Sequence, residues 1–320
     1  MRRTIGAAVA GLSLVLLAAC GGGGDDAETT SGGLKEVTVG AVPILDVAPM
    51  HLGIKEGFFE DEGLKLKVQP GQGGAAIVPA VLSGKTTIGF SNMTSLLIGQ
   101  SKGLPLRVIA PASSSTGEVK KDFAAVVVPG DSDVKTAKDL GGKTVAINTL
   151  KNISDTVIRE TVRKAGGDAE SVKFVEMAFP DMPAAIKSKR VDAAFTVEPF
   201  LTITTDAGAR PVAWPYAEAV DDLEVAVFFT SKQTLGKDKD TVEKFTRAMV
   251  KSQKFATDNP DKLRAIPTAY TEIDPKLLEK LTFPAFNEDV NQESAQALAD
   301  LAVTDKLVTK KPDVGELFGK

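Results

Sequence analysis

Strand and helix alternate along this chain, and the alternation runs through twice; no single motif constrains the fold as much. In the first pass, apolar runs at 36–42, 64–70, 87–90 and 106–112 are separated by helical stretches that begin at Met50, Ala75 and Ser91. In the second, runs at 123–129, 144–148, 172–179, 191–197 and 209–215 surround helices at 153–165, at 182–189 and from Pro199. Leu64 to Val68 alternates apolar with polar residues, as a half-buried strand does. Ile153 to Ala165 is amphipathic at helical period and stops at Gly166-Gly167. Pro199 fits the first turn of its helix, where its missing N–H costs little. A further strand follows at 225–232, and from Lys239 onward the pattern is helical. The expectation is an α/β protein of two lobes, each a mixed sheet flanked by helices, joined by two crossover strands at Ala124–Val128 and Val225–Phe229. Lobe I would take residues 35–122 and lobe II residues 123–224; residues 225–320 would return a strand and a helical C-terminal tail to lobe I.

Composition excludes several chemistries. The chain has one cysteine, Cys20, and one histidine, His51. No disulfide pair exists to staple the fold, so stability must come from packing. A Ser-His-Asp triad or a two-histidine metal site would have to rest on one ring. No catalytic residue, metal or cofactor is therefore expected, and His51 is open between a packing role and a ligand contact. The formal net charge of −4, with no basic run, offers no footprint for nucleic acid.

The first residues are a targeting segment. Arg2-Arg3 forms a basic head, and Ile5 to Ala18 is an apolar run too short and too small in its side chains to span a bilayer comfortably. Small residues then lead to Leu17-Ala18-Ala19-Cys20. Residues 1–19 read as a secretory signal peptide, excluded from the fold. The LAAC ending resembles a bacterial lipobox, in which the cysteine is lipidated and becomes the mature N-terminus; an incidental cysteine after an ordinary signal peptide is the alternative. Gly21 to Gly33 reads GGGGDDAETTSGG, so residues 20–34 would be a lipidated cysteine and a flexible polar tether. The expected location is extracytoplasmic, held to the membrane by a lipid anchor.

A family resemblance covers about residues 36–310. The segment VGAVPILDVAPMHLGIKEGFFEDEGLKLKV resembles the opening of the nitrate/sulfonate/taurine and thiamine-pyrimidine-precursor binding proteins of ABC importers. Leu82 to Phe90 (LSGKTTIGF), Asp139 to Ile147 (DLGGKTVAI) and Val191 to Phe200 (VDAAFTVEPF) resemble that family's later motifs in the same order. The resemblance implies a two-lobed periplasmic-binding-protein fold of the second type, with a solute held between lobes that close on it. It also implies an ABC permease with its ATPase as partners, no cofactor, and a monomer. A related enzyme branch makes a pyrimidine with the help of a cysteine-rich CCCFC stretch. At the matching positions this chain has Ser91 and Ser95 and no cysteine.

Ligands of open α/β sheets lie beyond the carboxyl ends of the strands. The loops in that position name the candidate ligand-binding residues. Asp46 is the only charge in Pro43 to Pro49. Gln72, Gly73 and Gly74 would let backbone N–H groups approach a ligand, or would form a tight turn. Ser91, Asn92 and Thr94 gather hydroxyls and an amide at a helix start, more than one cap requires. In lobe II the segment Asn148 to Ser154 offers Thr149, Asn152 and Ser154, of which Asn152 or Ser154 could instead cap the next helix. Glu198 is either a cap or a cleft-facing acceptor. None of these loops holds an arginine, and two hold a carboxylate. A desolvated oxyanion beside two carboxylates is unfavourable. Among the solutes of the family, which include sulfonates, taurine and pyrimidine precursors, the loops favour a neutral or amine-bearing molecule. A surface sensor or adhesion lipoprotein reusing the fold is the alternative function.

Overall fold

A computed structural model describes residues 33–319 of the chain; Cys20 and the leader lie outside the described residues. Among the described residues, ten strands form two five-stranded sheets. The first contains β1 (Lys35–Ala41), β2 (Leu64–Pro70), β3 (Ile88–Asn92), β4 (Leu106–Ser114) and β10 (Glu224–Ser231) in the order β2-β1-β3-β10-β4. The second contains β5 (Ala124–Val128), β6 (Thr144–Ile147), β7 (Lys173–Glu176), β8 (Ala193–Val197) and β9 (Arg210–Ala213) in the order β7-β6-β8-β5-β9. The two orders are the same topology. In each, four strands run in one direction and the strand reached by crossing from the other sheet is antiparallel to both its neighbours.

Burial explains which sequences became which strands. β3, β5, β8 and β10 are buried at every residue, as strands covered on both faces are. The edge strand β2 exposes Lys65 and Lys67, which discourages pairing with another chain. The crossings are the segments 115–123 and 214–223, held side by side where Ser115 N donates to Leu223 O at 2.9 Å. Within the first crossing, Asp122 accepts from Ser115 Oγ at 2.5 Å and from the backbone N–H of Thr116 and Phe123.

The tail covers the first sheet and also reaches the second. Helix Lys239–Asp258 lies on helix Ala48–Lys55 so closely that a Cβ at Gly53 would come within 1.9 Å of Ser252 Oγ. Residues 265–291 depart from the helical expectation: they are short 3-10 turns and loop, interrupted by Pro267, Pro275 and Pro284. Within that stretch Ala285 bridges Ser114 at the edge of β4. Helix Gln292–Thr304 then packs on both Met93–Ser101 and Ile153–Lys164, and Arg163 pairs with Asp305 at 2.6 Å.

Candidate functional site

The two lobes meet around a small cavity of about 30 Å3. Its walls come from the carboxyl ends of β3 and β8, from the segments that follow β1, β2, β6 and β7, from the second crossing, and from the start of β10. Of the residues expected to hold a ligand, Asp46, Gly73, Gly74, Asn92, Asn152 and Ser154 line it. Val42, Ile44, Phe90, Asn148, Phe179 and Tyr216 complete most of the wall. None of the lining residues is a lysine or arginine.

Asp46 is the site's only charge-bearing wall residue. It is 2% exposed. Its Oδ1 accepts from Ser113 Oγ at 2.6 Å, while its Oδ2 is buried without a partner. Burial, opposed by the Ser113 hydrogen bond, pushes the carboxyl up to about 6. Tyr216 is pushed well above its usual value by burial and by the nearby carboxylates of Asp46 and Asp122, so it remains a neutral phenol.

The amide side chains organise both walls. Asn92 caps helix Met93–Ser101 by accepting from Ser95 N at 2.9 Å. Asn152 caps helix Ile153–Lys164 through Ser154 N. Its Nδ2 donates to Asn148 Oδ1 at 2.9 Å and to Thr149 Oγ1 at 2.8 Å. Asn148 Nδ2 in turn donates across the cleft to Gln72 O at 3.2 Å. Gly73 fits against the same residues: a Cβ there would be 3.0 Å from Thr149 Cγ2 and 3.1 Å from Asn148 Nδ2. A second bond between lobes runs from Leu45 N to Glu198 O at 3.1 Å.

Five expected residues do not wall the cavity. Ser91 is fully buried beneath Gly74, its Oγ donating to Asn92 O. Thr94 is turned into the core by its place on the helix, with its hydroxyl unpartnered. Thr149 faces Asn152 and Gly73, and Gln72 lines a neighbouring groove at the cleft mouth. Glu198 is a structural anchor: its carboxylate accepts from Thr202 N, Thr202 Oγ1 and, from the tail, Thr282 N. Burial pushes that carboxyl up to about 7. His51 stacks on Tyr270 with ring centroids 3.9 Å apart, and burial lowers it to about 4. Tyr216 was invisible to periodicity because it lies on a crossing segment; its one signal is that the chain has only two tyrosines.

Several known proteins are similar to this chain. A formylaminopyrimidine-binding protein from Halalkalibacterium halodurans is 22% identical over 298 residues, covering 90% of this chain and 83% of its own. A putative ABC transporter periplasmic binding protein from Brachyspira hyodysenteriae is 24% identical over 256 residues, covering 75% of this chain and 69% of its own. Among solved structures, the alkanesulfonate-binding protein SsuA from Xanthomonas axonopodis pv. citri, bound to MOPS, matches with a TM-score of 0.74 at 17% identity, over 88% of this chain and 97% of that one. The periplasmic nitrate-binding protein NrtA from Synechocystis PCC 6803 matches with a TM-score of 0.71 at 11% identity, over 88% and 84% of the two chains. These structures place the fold among the periplasmic binding proteins. Residues 45–263 match the family described as NMT1/THI5 like, and the chain belongs to that family.

Proposed function

We propose that this protein is an extracytoplasmic solute receptor, not an enzyme, that captures a small organic molecule between its lobes and delivers it to an ABC import permease. Binding would shift an open–closed equilibrium, and the closed form would be what the permease and its ATPase recognise. The observation that carries the reading is Asp46: a buried carboxylate with an unpartnered oxygen, on the wall of a cavity that both lobes close. An unpaired buried acceptor is costly, and a ligand N–H supplies what it lacks. The solute class is therefore an N–H donor, such as an aminopyrimidine or a small amine, rather than nitrate or a sulfonate. The relative that binds formylaminopyrimidine is consistent with this choice.

A thermal-shift screen tests it, with aminopyrimidines, small amines, riboflavin, taurine, alkanesulfonates and nitrate. A ligand at a hundred times its Kd stabilises by about 2.7 kcal/mol, and a chain of this length gains roughly 2 °C or more per kcal/mol. A shift of several degrees with an N–H donor is expected. A response to nitrate or alkanesulfonates alone would contradict the class.

Location enters the same proposal. No helix among the described residues is long and apolar enough to cross a membrane, and Cys20 would carry the lipid that holds this monomeric receptor at the membrane surface. Cys20→Ser is expected to move the protein into the soluble fraction; a variant still sedimenting with membranes would refute the anchor.

A further inference from the structure

The cavity at Asp46 is too small for the solutes it is meant to serve. At about 30 Å3 it admits little more than a single polar group beside Asp46. The adjoining space is far larger. A groove of about 270 Å3 opens at the cleft mouth and shares Val42, Ile44 and Phe179 with the cavity wall. Its remaining walls are largely apolar: Pro43 and Pro70 from lobe I face Pro180 and Phe200 from lobe II. Phe200 stacks on Phe179 with centroids 6.1 Å apart and planes within 12°, a continuous aromatic face from the cavity outward. The groove thus has two properties a ligand subsite needs. It adjoins the cavity that holds Asp46 through Val42, Ile44 and Phe179, and it is built from both lobes, so closure wraps whatever lies in it.

We propose that the solute is two-part: a compact N–H donor head held at Asp46, and an apolar or aromatic arm lying in the groove between Pro43, Pro70, Phe179 and Phe200. The inference rests on the solute-receptor reading and deepens it from a head group to a substrate class. The occupant follows from geometry, because the cavity has no room for the arm and the groove that shares Val42, Ile44 and Phe179 with it is largely apolar. Burying an arm there removes apolar surface from water on both sides of the cleft, so the arm adds affinity.

Calorimetric titration of the full chain with matched probes decides the matter. The pairs are 4-aminopyrimidine against 4-amino-5-benzylpyrimidine, and methylguanidine against benzylguanidine. In at least one pair the armed probe is expected to bind at least tenfold tighter than the bare head. Phe200→Ser is expected to reduce that gain to less than about threefold while leaving the bare head's affinity unchanged. Pro70→Ser, at an exposed groove position, should act in the same direction and serves if the first variant folds poorly. Bare heads that bind as tightly as armed ones would overturn the two-part solute and leave the receptor reading standing. An arm gain that survives both substitutions would likewise overturn it. Failure of all four probes to bind folded protein would remove the receptor reading for this head class, and the inference with it.

Discussion

Asp46→Asn is expected to weaken solute binding by about tenfold to a hundredfold while making the empty protein more stable. A hydrogen bond to a charged group contributes about 1.5–3 kcal/mol, which sets the loss. The gain in stability comes from the same carboxylate. Burial holds the folded-state value at about 6, above the ordinary 3.8. A raised carboxyl favours the native state while protonated; that contribution is complete below 3.8 and is lost as pH rises through about 6. At about pH 7.5 the native protein therefore carries a buried charge that asparagine does not, worth roughly 1–3 kcal/mol. The amide retains an oxygen to accept from Ser113. Calorimetry and thermal denaturation of one variant thus move in opposite directions, which a misfolded variant would not reproduce. The pH profile carries the same signature. For a solute that does not itself titrate, affinity should be flat above about 6 and fall by up to about tenfold per pH unit below it. A profile flat through that range would show that the carboxylate does not meet the ligand.

Gly73→Val is expected to hold the cleft open. Gly73 has an extended backbone with φ of 176°, a conformation any residue adopts, so valine introduces no backbone strain there. Its side chain would instead strike Thr149 and Asn148 on the opposite lobe, at a distance already down to 3.0 Å for the first carbon. Overpacking of this kind costs about 1–3 kcal/mol, charged here to the closed form alone. Affinity should then drop by about tenfold to a hundredfold, while the melting temperature of the empty protein changes by no more than about 2 °C. Gly74 offers no such separation. A Cβ there would lie 1.9 Å from Ser91 Oγ within its own lobe and would damage the lobe itself.

Much of the architecture was legible because each buried strand is a short apolar run between helical stretches, and periodicity registers that contrast. The equivalence of the two sheets followed from the same alternation appearing twice. What escaped the sequence depended on partners far along the chain. Glu198 reads as a cleft acceptor beside a proline, yet its carboxylate is satisfied partly by Thr282, a residue 84 positions away. Thr94 and Ser91 belong to a polar cluster whose local spacing does not say which members the helix turns inward. Tyr216 contributes to the site from a crossing, where no repeating pattern exists to mark it. Residues 265–291 kept a helical composition while their prolines broke the helix into turns. Asp46 stands out in the sequence as the sole charge in a loop at the end of β1, and it lies on the wall of the candidate cavity.

The most direct measurement is the distance between lobes, with and without solute. Spin labels at Lys65→Cys on β2 and Lys173→Cys on β7, in protein with Cys20 replaced by serine, report it by pulsed electron resonance; both sites are exposed edge-strand positions. A solute that raises the melting temperature of the wild type should collapse the distribution to one short distance, and should fail to do so in Gly73→Val. A solute that binds and stabilises yet leaves the inter-lobe distribution unchanged would contradict capture by closure.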